Sequence, residues 1–447
     1  MTPSPIKQAV ASNDSAPACI QLNEWACVTS KERRELAETT LAHNIRAQQV
    51  AEQLRGRLTI RNGFQGLEIE STSFVGHVDV GPLRISIQPK LPGVPLTRLF
   101  RYAYGLNDMA MIDQTEIPLA QLGLEDLLIL MLVREAELLS LGRLARQYIA
   151  KRELLASPRG SILVSEIARR GGITEAALPC RYFERHLDWH LNRILRAGLA
   201  LAAGRASDKS LRRRVFGVAR ALVDVDGNCK LNDAELDHAE RCLNRLTAIY
   251  QPALTLIRLL VNGLGPGQEA TGDGTAVPGF LFDMNVFFQK LLSRFLHENS
   301  GPFRVADERS ISGALKYLAD WNPKKRTAHN PRPDYTVFEG RVMRGFLDAK
   351  YRDVWNQSVP AGWLYQMAIY ALNSPTKTGV LLYATTDRQA REERIDVRGY
   401  AGPSTNVPTT IMIRPVILTE LLSAIEEQGT PGIRKRQEMA RRYVNLG

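Results

Sequence analysis

Three charged side chains in the last third of the sequence have the types and the spacing that phosphodiester hydrolysis requires. Asp334 comes first, and Asp348 and Lys350 follow it with one residue between them. Two carboxylates can hold a Mg²⁺ ion, and a lysine ammonium can orient an attacking water and offset the charge that develops on the phosphate. We therefore predict that Asp334 and Asp348 are metal ligands and that all three residues are catalytic.

The sequence around these residues predicts a β-hairpin that brings them together. Two runs rich in β-branched, aromatic and aliphatic residues, 332–338 and 342–351, flank a glycine-containing turn at 339–341. Residues two apart in a strand point to the same face, so we expect Asp348 and Lys350 to lie side by side.

A helix is predicted to follow this hairpin, over residues 363–372. Gln366 and Tyr370 are four positions apart in it, so they share one helical face from which they could reach back over the strand. We predict that Gln366 is a catalytic-site residue that supports the other three from this helix.

An alternative interpretation is a surface hairpin in which Asp348 and Lys350 form an ordinary exposed ion pair. Such pairs contribute little to stability and indicate no function. However, the two residues lie within the apolar segment Gly-Phe-Leu-Asp-Ala-Lys-Tyr, 345–351, which favours a half-buried strand. Charged groups on a buried strand need a partner, and a metal ion supplies one.

Three segments of this region resemble the catalytic core of the McrC family, within the PD-(D/E)xK nuclease superfamily. They are Arg-Pro-Asp at 332–334, Leu-Asp-Ala-Lys-Tyr at 347–351 and Tyr-Gln-Met-Ala-Ile-Tyr-Ala at 365–371. Ordered agreement with further signatures of that family makes the resemblance more specific than any single motif. These further segments are 75–78 with 85–90, 157–162, 180–182 with 187–195, and 282–285.

This resemblance implies a function, a cofactor and partners. The McrC family supplies the nuclease subunit of McrBC restriction systems, which act in antiviral defence by cutting DNA that contains modified cytosine. It therefore implies a Mg²⁺-dependent endodeoxyribonuclease, with Mn²⁺ able to substitute. It also implies double-stranded, modified DNA as substrate and a McrB-like AAA+ GTPase oligomer as the partner that this chain stimulates.

One position departs from the family pattern. The family commonly has Phe-Glu where this chain has Phe288-Gln289. If the acid helps to position metal in relatives, a neutral amide would weaken metal binding here. The alternative function is therefore a catalytically weak adaptor that only stimulates the motor, although the complete set of Asp334, Asp348 and Lys350 favours the enzyme.

Charge and composition agree with a DNA-binding enzyme. The 447 residues include 58 Lys and Arg against 47 Asp and Glu, a net charge of +11 that suits a polyanionic partner. We predict DNA contacts from Lys324, Lys325 and Arg326, just before Asp334, and from Arg352. No G-x-x-x-x-G-K-[ST] motif occurs, so nucleotide hydrolysis is expected to come from the partner.

The same composition predicts a cytoplasmic protein without membrane contact. Five scattered cysteines argue against a disulfide framework and suit a reducing compartment. No apolar run approaches the roughly 20 residues of a membrane span, and the polar N-terminal segment does not have the pattern of a signal peptide.

The periodicity of apolar residues predicts a multidomain α+β fold. Strand patterns dominate early, helical patterns dominate the middle, and helices alternate with strands after a segment rich in Gly and Pro. The predicted parts are a disordered tail at 1–29, a mixed α/β partner-docking domain at 30–115, a helical region at 116–261, a linker or loop at 262–279 and an α/β PD-(D/E)xK nuclease domain at 280–447.

A second motif competes for a metal ion. Residues 224–235 place oxygen-bearing side chains where an EF-hand loop has its calcium ligands, including Glu235 at the last position. However, Cys229 occupies the position where the sharp turn needs glycine. We interpret the segment as a polar turn between helices, capped by Asp and Asn, and calcium binding remains the alternative.

Overall fold

The computed structural model describes residues 18–37, 39–41, 44–106, 122–142, 144–173, 175–263, 279–398 and 408–447, without the side chain of Val94. The described chain forms two compact units. One contains the described residues of 18–90 together with 279–283, and the other contains those of 91–263 and 284–447. Most of the predicted linker, 264–278, lies outside the described residues, as does the predicted tail up to residue 17.

The first unit is built from two sheets and two short helices. Its larger sheet has the strand order β1-β6-β5-β10, and its smaller sheet has the order β2-β4-β3. The elements are β1 Ala18–Asn23, β2 Cys27–Thr29, α1 Arg34–Ala37, α2 Ile45–Gln53, β3 Leu58–Gly63, β4 Gly66–Ser71, β5 Phe74–Val80, β6 Leu83–Gln88 and β10 Gly279–Asp283.

The predicted tail at 1–29 is wrong for its last part, because residues 18–29 form β1 and β2. In β1 the side chains of Ile20 and Leu22 are buried and alternate with more exposed residues, as in a strand with one covered face. This strand pairs in parallel with β6, which lies more than 60 residues later in the chain. A tail assigned from local composition therefore missed a long-range pairing.

Residues 280–283, assigned from the sequence to the C-terminal domain, form the edge strand β10 of the first unit's larger sheet. β10 pairs antiparallel with β5, and Gly76 lies opposite Leu281 in that pairing. Gly76 has φ 131°, and a Cβ there would lie 2.0 Å from the carbonyl oxygen of Phe280. The close approach of the two backbones therefore requires glycine at this position.

The second unit begins with a layer of helices. α4 is buried along most of its length, because it is apolar on nearly all sides and packs against α6, α7 and α9. The helices are α3 Val94–Tyr104, α4 Leu124–Ser140, α5 Val164–Arg169, α6 His190–Arg205, α7 Lys209–Ala219, α8 Asp233–Arg241 and α9 Gln251–Asn262.

The helical interpretation of 116–261 overlooked a three-stranded antiparallel sheet. It has the order β7-β9-β8, with β7 at Gln147–Leu155, β8 at Ser161–Ile162 and β9 at Leu178–His186. Most residues of β7 are exposed, so the strand shows no apolar face that would mark it in the sequence.

The segment that resembles an EF-hand loop connects α7 to α8 through a polar turn, as interpreted. Asn232 is the N-cap of α8, and its side-chain oxygen accepts a hydrogen bond of 2.8 Å from the backbone N–H of Glu235. Asp226 accepts a hydrogen bond of 3.0 Å from the N–H of Asn228.

The rest of the second unit is a six-stranded mixed sheet with helices on both faces. Its order is β11-β12-β13-β14-β16-β15, in which β13, β14 and β16 are parallel and the other pairings are antiparallel. The elements are α10 Met284–Asn299, β11 Phe303–Asp307, β12 Tyr335–Glu339, β13 Val342–Lys350, α11 Ala361–Leu372, β14 Thr378–Thr385, β15 Glu393–Val397, β16 Thr409–Ile417, α12 Leu418–Glu426 and α13 Gly429–Val444.

Two helices flank the predicted hairpin of β12 and β13. Phe346 and Tyr370 join a buried cluster between β13 and α11, whereas Tyr351 packs against Phe288 of α10. The two sides of β13 therefore face different helices, as the alternation in the sequence predicts. Across the described part of the chain, no helix is both long and apolar enough to cross a membrane.

The close approach at Gly76 gives a prediction about stability. Gly76→Ala should lower the free energy of unfolding of the first unit by about 3–4 kcal/mol, because β10 must move away from β5. Gly56→Ala is the matched control, since Gly56 also has positive φ, 86°, but has no atom within 4 Å of the added Cβ. Its strain alone should cost about 1–2 kcal/mol. Urea denaturation of both variants measures the difference, and equal losses would contradict the steric explanation.

Candidate active site

The hairpin places the two predicted carboxylates opposite each other. Tyr335 pairs with Leu347 at the end of the ladder, so the same register continued by one residue sets Asp334 across from Asp348. The turn between the strands contains Gly340 at φ 59°, a conformation that glycine adopts without strain. The backbone thus brings together residues that are well separated in the sequence.

Asp334 is held by two hydrogen bonds from different elements. The backbone N–H of Ala349 donates to its Oδ2 at 2.7 Å, and the side-chain amide of Gln289 donates to its Oδ1 at 2.9 Å. The N–H of Glu308 also donates to the backbone carbonyl of Asp334 at 2.8 Å. Both side-chain oxygens are therefore fixed in direction before any ligand binds.

Asp348 is only 1% exposed, and its nearest counter-charge is Lys350. The Nζ of Lys350 lies 2.6 Å from Oδ2 of Asp348. Burial leaves this oxygen paired with the ammonium alone among the described residues. Burying a carboxylate is costly even beside one ammonium, and a divalent cation would lower that cost further.

The electrostatics of the site disfavour two negative charges. Burial, followed by the nearby charge of Asp348, raises the pKa of Asp334 well above that of an exposed carboxyl group. Burial also raises the pKa of Asp348, although the ammonium of Lys350 opposes this shift. One lysine therefore offsets only part of the charge of the pair, and a bound cation would offset the rest.

Gln366 reaches towards the site through a second side chain. Its amide donates a hydrogen bond of 2.8 Å to the hydroxyl oxygen of Tyr370, whose side chain is buried. Burial, and after it the charge of Asp348, raises the pKa of Tyr370. The catalytic role of Gln366 stays a prediction.

The indole of Trp363, on the same helix, lies under the ammonium of Lys350, with 5.8 Å between Nζ and the ring centroid.

α10 contributes two side chains whose contacts with the hairpin were not foreseen from the sequence. Gln289 bonds to Asp334, and its backbone carbonyl accepts a 2.7 Å hydrogen bond from the hydroxyl of Tyr335. One turn earlier, Asn285 accepts a hydrogen bond of 3.2 Å from the N–H of Tyr351. The two residues are four apart, which puts them on one face of α10. That four-residue spacing of two amide side chains was the signal in the sequence that could have indicated a shared polar face on this helix.

The donor set of this site suits a hard divalent cation. No group of three or more His, Cys, Asp or Glu able to hold a metal occurs within the described ranges of the chain. Mg²⁺ does not need such a group, because it commonly takes one or two protein carboxylates and keeps several waters. The carboxylates of Asp334 and Asp348 fit that requirement.

The predicted DNA contacts lie outside this carboxylate pair. Lys324, Lys325 and Arg326 are exposed in the long loop between β11 and β12. Arg352 follows β13, and its guanidinium contacts the side-chain oxygen of Gln357 at 3.3 and 3.4 Å. The structure therefore brings Asp334, Asp348 and Lys350 together in one site. The DNA contacts of the four basic residues stay predictions.

Comparisons with known proteins point to one family. The family model described as "McrBC 5-methylcytosine restriction system component" matches residues 69–384. No curated protein matches the sequence. One similar solved structure is a refined half-complex from a tetradecameric assembly of Thermococcus gammatolerans McrB AAA+ hexamers with bound McrC. A chain of that structure is 18% identical to this chain, with a TM-score of 0.63, and the match covers 96% of this chain and 100% of that one. This match shows a shared fold. A chain of the Thermococcus gammatolerans McrBC complex is 17% identical with a TM-score of 0.44, covering 67% of this chain and 89% of that one.

The raised carboxyl pKa values predict how stability depends on pH. An acid whose pKa is higher in the folded state binds its proton more tightly there, so stability falls as pH rises from the unfolded value through the folded one. Asp334→Asn removes one charge of the pair. Without divalent ions it should raise the melting temperature by a few degrees at pH 8, and this gain should shrink towards pH 4.

The control for this measurement is Asp396→Asn, because Asp396 is an exposed residue of β15. Its melting temperature should follow that of the unchanged protein at every pH. If Asp334→Asn were less stable than the unchanged protein at pH 8, the two carboxylates would not oppose each other as described.

Proposed function

Because this chain belongs to the McrBC family, we propose that it is the metal-dependent DNA endonuclease subunit of a McrBC-like restriction system. The observation that carries the proposal is the buried site itself, in which the nearly inaccessible carboxylate of Asp348 lies beside Lys350 and opposite Asp334. An ordinary surface ion pair would be exposed to solvent, whereas the carboxylate of Asp348 is buried. We infer that this site is a nuclease centre of the PD-(D/E)xK type, as the sequence predicts.

Each residue of the site has a chemical task in this proposal. Asp334 and Asp348 would hold Mg²⁺, which supplies Lewis-acid polarisation of the phosphate and charge neutralisation when bound. The ammonium of Lys350 orients the attacking water and offsets charge on the phosphate as the bond to the leaving oxygen breaks. The N–H of Ala349 and the amide of Gln289 keep Asp334 in position. Gln366 supports the site by fixing the hydroxyl of Tyr370.

The substrate and the partner follow from the family and from what the sequence lacks. We propose double-stranded DNA with modified cytosine as substrate, supported by the description of the matching family. We further propose a McrB-like AAA+ GTPase oligomer as partner, which the N-terminal domain contacts and this chain stimulates. Support comes from the similar structure, which contains McrB AAA+ hexamers with bound McrC, and from the absence of a P-loop motif in this sequence. DNA restriction is a process of the cytoplasm, where we place the protein.

Gln289 is the feature that favours the adaptor alternative. Its amide occupies one oxygen of Asp334 where relatives commonly have an acid. However, an amide can turn to present its oxygen, which is also a suitable ligand for a hard cation. A neutral residue here also avoids a third negative charge beside the pair. We therefore keep the enzyme as the proposed function and the adaptor as the alternative to be tested.

The catalytic assignment predicts the effect of three substitutions. Asp334→Ala, Asp348→Ala and Lys350→Ala should each slow DNA cleavage by the chain assembled with its AAA+ partner by at least ~10², because each removes a ligand or a charge-stabilising group. The same proteins should remain folded and still stimulate GTP hydrolysis by the partner, although a change of charge at the buried pair shifts their melting temperatures. Asp396→Ala is the control and should cleave normally.

Two results distinguish the enzyme from the adaptor. Loss of cleavage with retained stimulation supports the nuclease assignment. Full cleavage by Asp348→Ala would show that the phosphodiester is cut elsewhere, and this chain would then be an adaptor.

The oxygen donors predict which ions support cleavage. Mg²⁺ and Mn²⁺ should support it, because the site has two carboxylates and room for water ligands. Ca²⁺ should bind but support little cleavage, since its looser coordination positions the reacting groups less well. Calorimetry and cleavage assays with each ion measure both properties. Tight Ca²⁺ binding that is lost in Asp226→Ala would instead assign a calcium site to residues 224–235.

A further inference from the structure

The loop between β11 and β12, residues 308–333, exposes several large apolar side chains. Trp321 is 82% exposed and Leu318 is 70% exposed, and Tyr317 and Leu315 are about half exposed. A group of exposed apolar side chains on one loop marks an interaction surface more often than a lone one does. We call this segment the aromatic loop.

The aromatic loop is also strongly basic. It contains six Lys and Arg against two acidic residues, Glu308 and Asp320. Arg332 is bonded to Glu308 at the base of the loop, so that pair is neutral as a whole. The remaining basic residues are Arg309, Lys316, Lys324, Lys325 and Arg326.

The tip of the loop has a fixed conformation. The side chain of Asn322 accepts a hydrogen bond of 2.8 Å from the N–H of Arg326 and donates one of 2.8 Å to its carbonyl oxygen. Lys325 lies between them with φ 48°. Trp321 directly precedes Asn322 and ends a short 3₁₀ helix. The indole and the three basic residues therefore belong to one tied turn, whose backbone would lose little conformational entropy on binding a ligand.

The base of the loop is joined to the candidate active site. The loop ends at Asp334, whose carbonyl accepts a hydrogen bond from the N–H of Glu308 at 2.8 Å. Ile311 is bonded to the carbonyl of Pro331 at 2.9 Å and packs against the buried cluster beneath α11. The base of the loop is therefore anchored to the hairpin that carries the carboxylates.

We propose that the aromatic loop is a DNA-binding element in which Lys324, Lys325 and Arg326 contact phosphates and Trp321 stacks on an unpaired nucleobase. The proposal rests on the proposed function and names residues that hold its substrate. Nucleic acid is the occupant that the composition favours, because ammonium groups match phosphates and an indole stacks on any base. A protein partner would fit less well, since lysine is depleted from the centres of protein interfaces.

The experiment measures binding of the full-length chain to a fluorescein-labelled DNA duplex with an unpaired stretch, over a range of salt concentrations and with divalent ions chelated. Trp321→Ala should weaken binding about 5- to 100-fold with little change in salt dependence, because stacking is not electrostatic. Trp321→Phe should keep much of the affinity. Replacing Lys324, Lys325 and Arg326 by Ala should reduce the slope of log K against log salt by about 2–3.

Matched controls separate these effects from general losses of charge or apolar surface. Leu246→Ala removes a side chain that is 85% exposed in the helical region, and it should leave binding unchanged. Replacing exposed Arg213, Arg241 and Arg245 together by Ala removes the same charge as the loop variant and should change the salt slope much less. Melting temperatures of all variants confirm that they are folded.

Several outcomes would overturn the inference. They are no DNA binding by the unchanged chain, a Trp321→Ala protein that binds normally, and control variants that lose as much as the loop variants. Because binding is measured without metal, it is independent of cleavage. Loop-dependent binding by a complex that cannot cut DNA would overturn the proposed nuclease and leave the DNA-binding loop in place.

Discussion

The central constraint on this structure is the placement of two carboxylates in one buried position with a single ammonium beside them. Removing a carboxylate from water costs several kcal/mol, and a second one nearby adds repulsion that Lys350 only partly offsets. The folded protein tolerates this arrangement because other interactions stabilise it. A site that is costly without a cation is also one that binds a cation favourably, so local instability and the proposed function have the same physical origin.

The elements around the hairpin supply that stabilisation in two different ways. α10 uses polar contacts, since Gln289 and Asn285 bond directly to Asp334 and to the backbone at Tyr351. α11 uses apolar contacts, since Met367 and Tyr370 pack with Phe346 in a buried cluster. Polar contacts set the direction of the carboxylate, whereas the apolar cluster keeps the strand from moving. Both are needed for a site whose reacting groups must be positioned in advance.

The sequence predicted the parts of the site that depend on neighbours in the chain. The hairpin, its turn at Gly340 and the shared face of Asp348 and Lys350 follow from alternation and turn chemistry within about twenty residues. The contact of Gln289 with Asp334 could not be predicted in this way, because it joins residues that are 45 positions apart. β1 and β10 were missed for the same reason, since each is defined by a distant partner strand. β7 was missed because it is mostly exposed and shows no apolar face.

The charge of the site also explains why a basic loop belongs next to it. Two carboxylates and one ammonium meet at the site, so ionised carboxylates there repel the phosphate that must approach them. The net charge of the whole chain cannot correct this, because charges farther apart than about 8 Å are largely screened at physiological salt. Positive groups that guide a phosphate to the site must therefore belong to segments that are anchored to it. The aromatic loop is anchored at its base, where the N–H of Glu308 donates to the carbonyl of Asp334, and a bound cation would offset the negative charge at the carboxylates themselves.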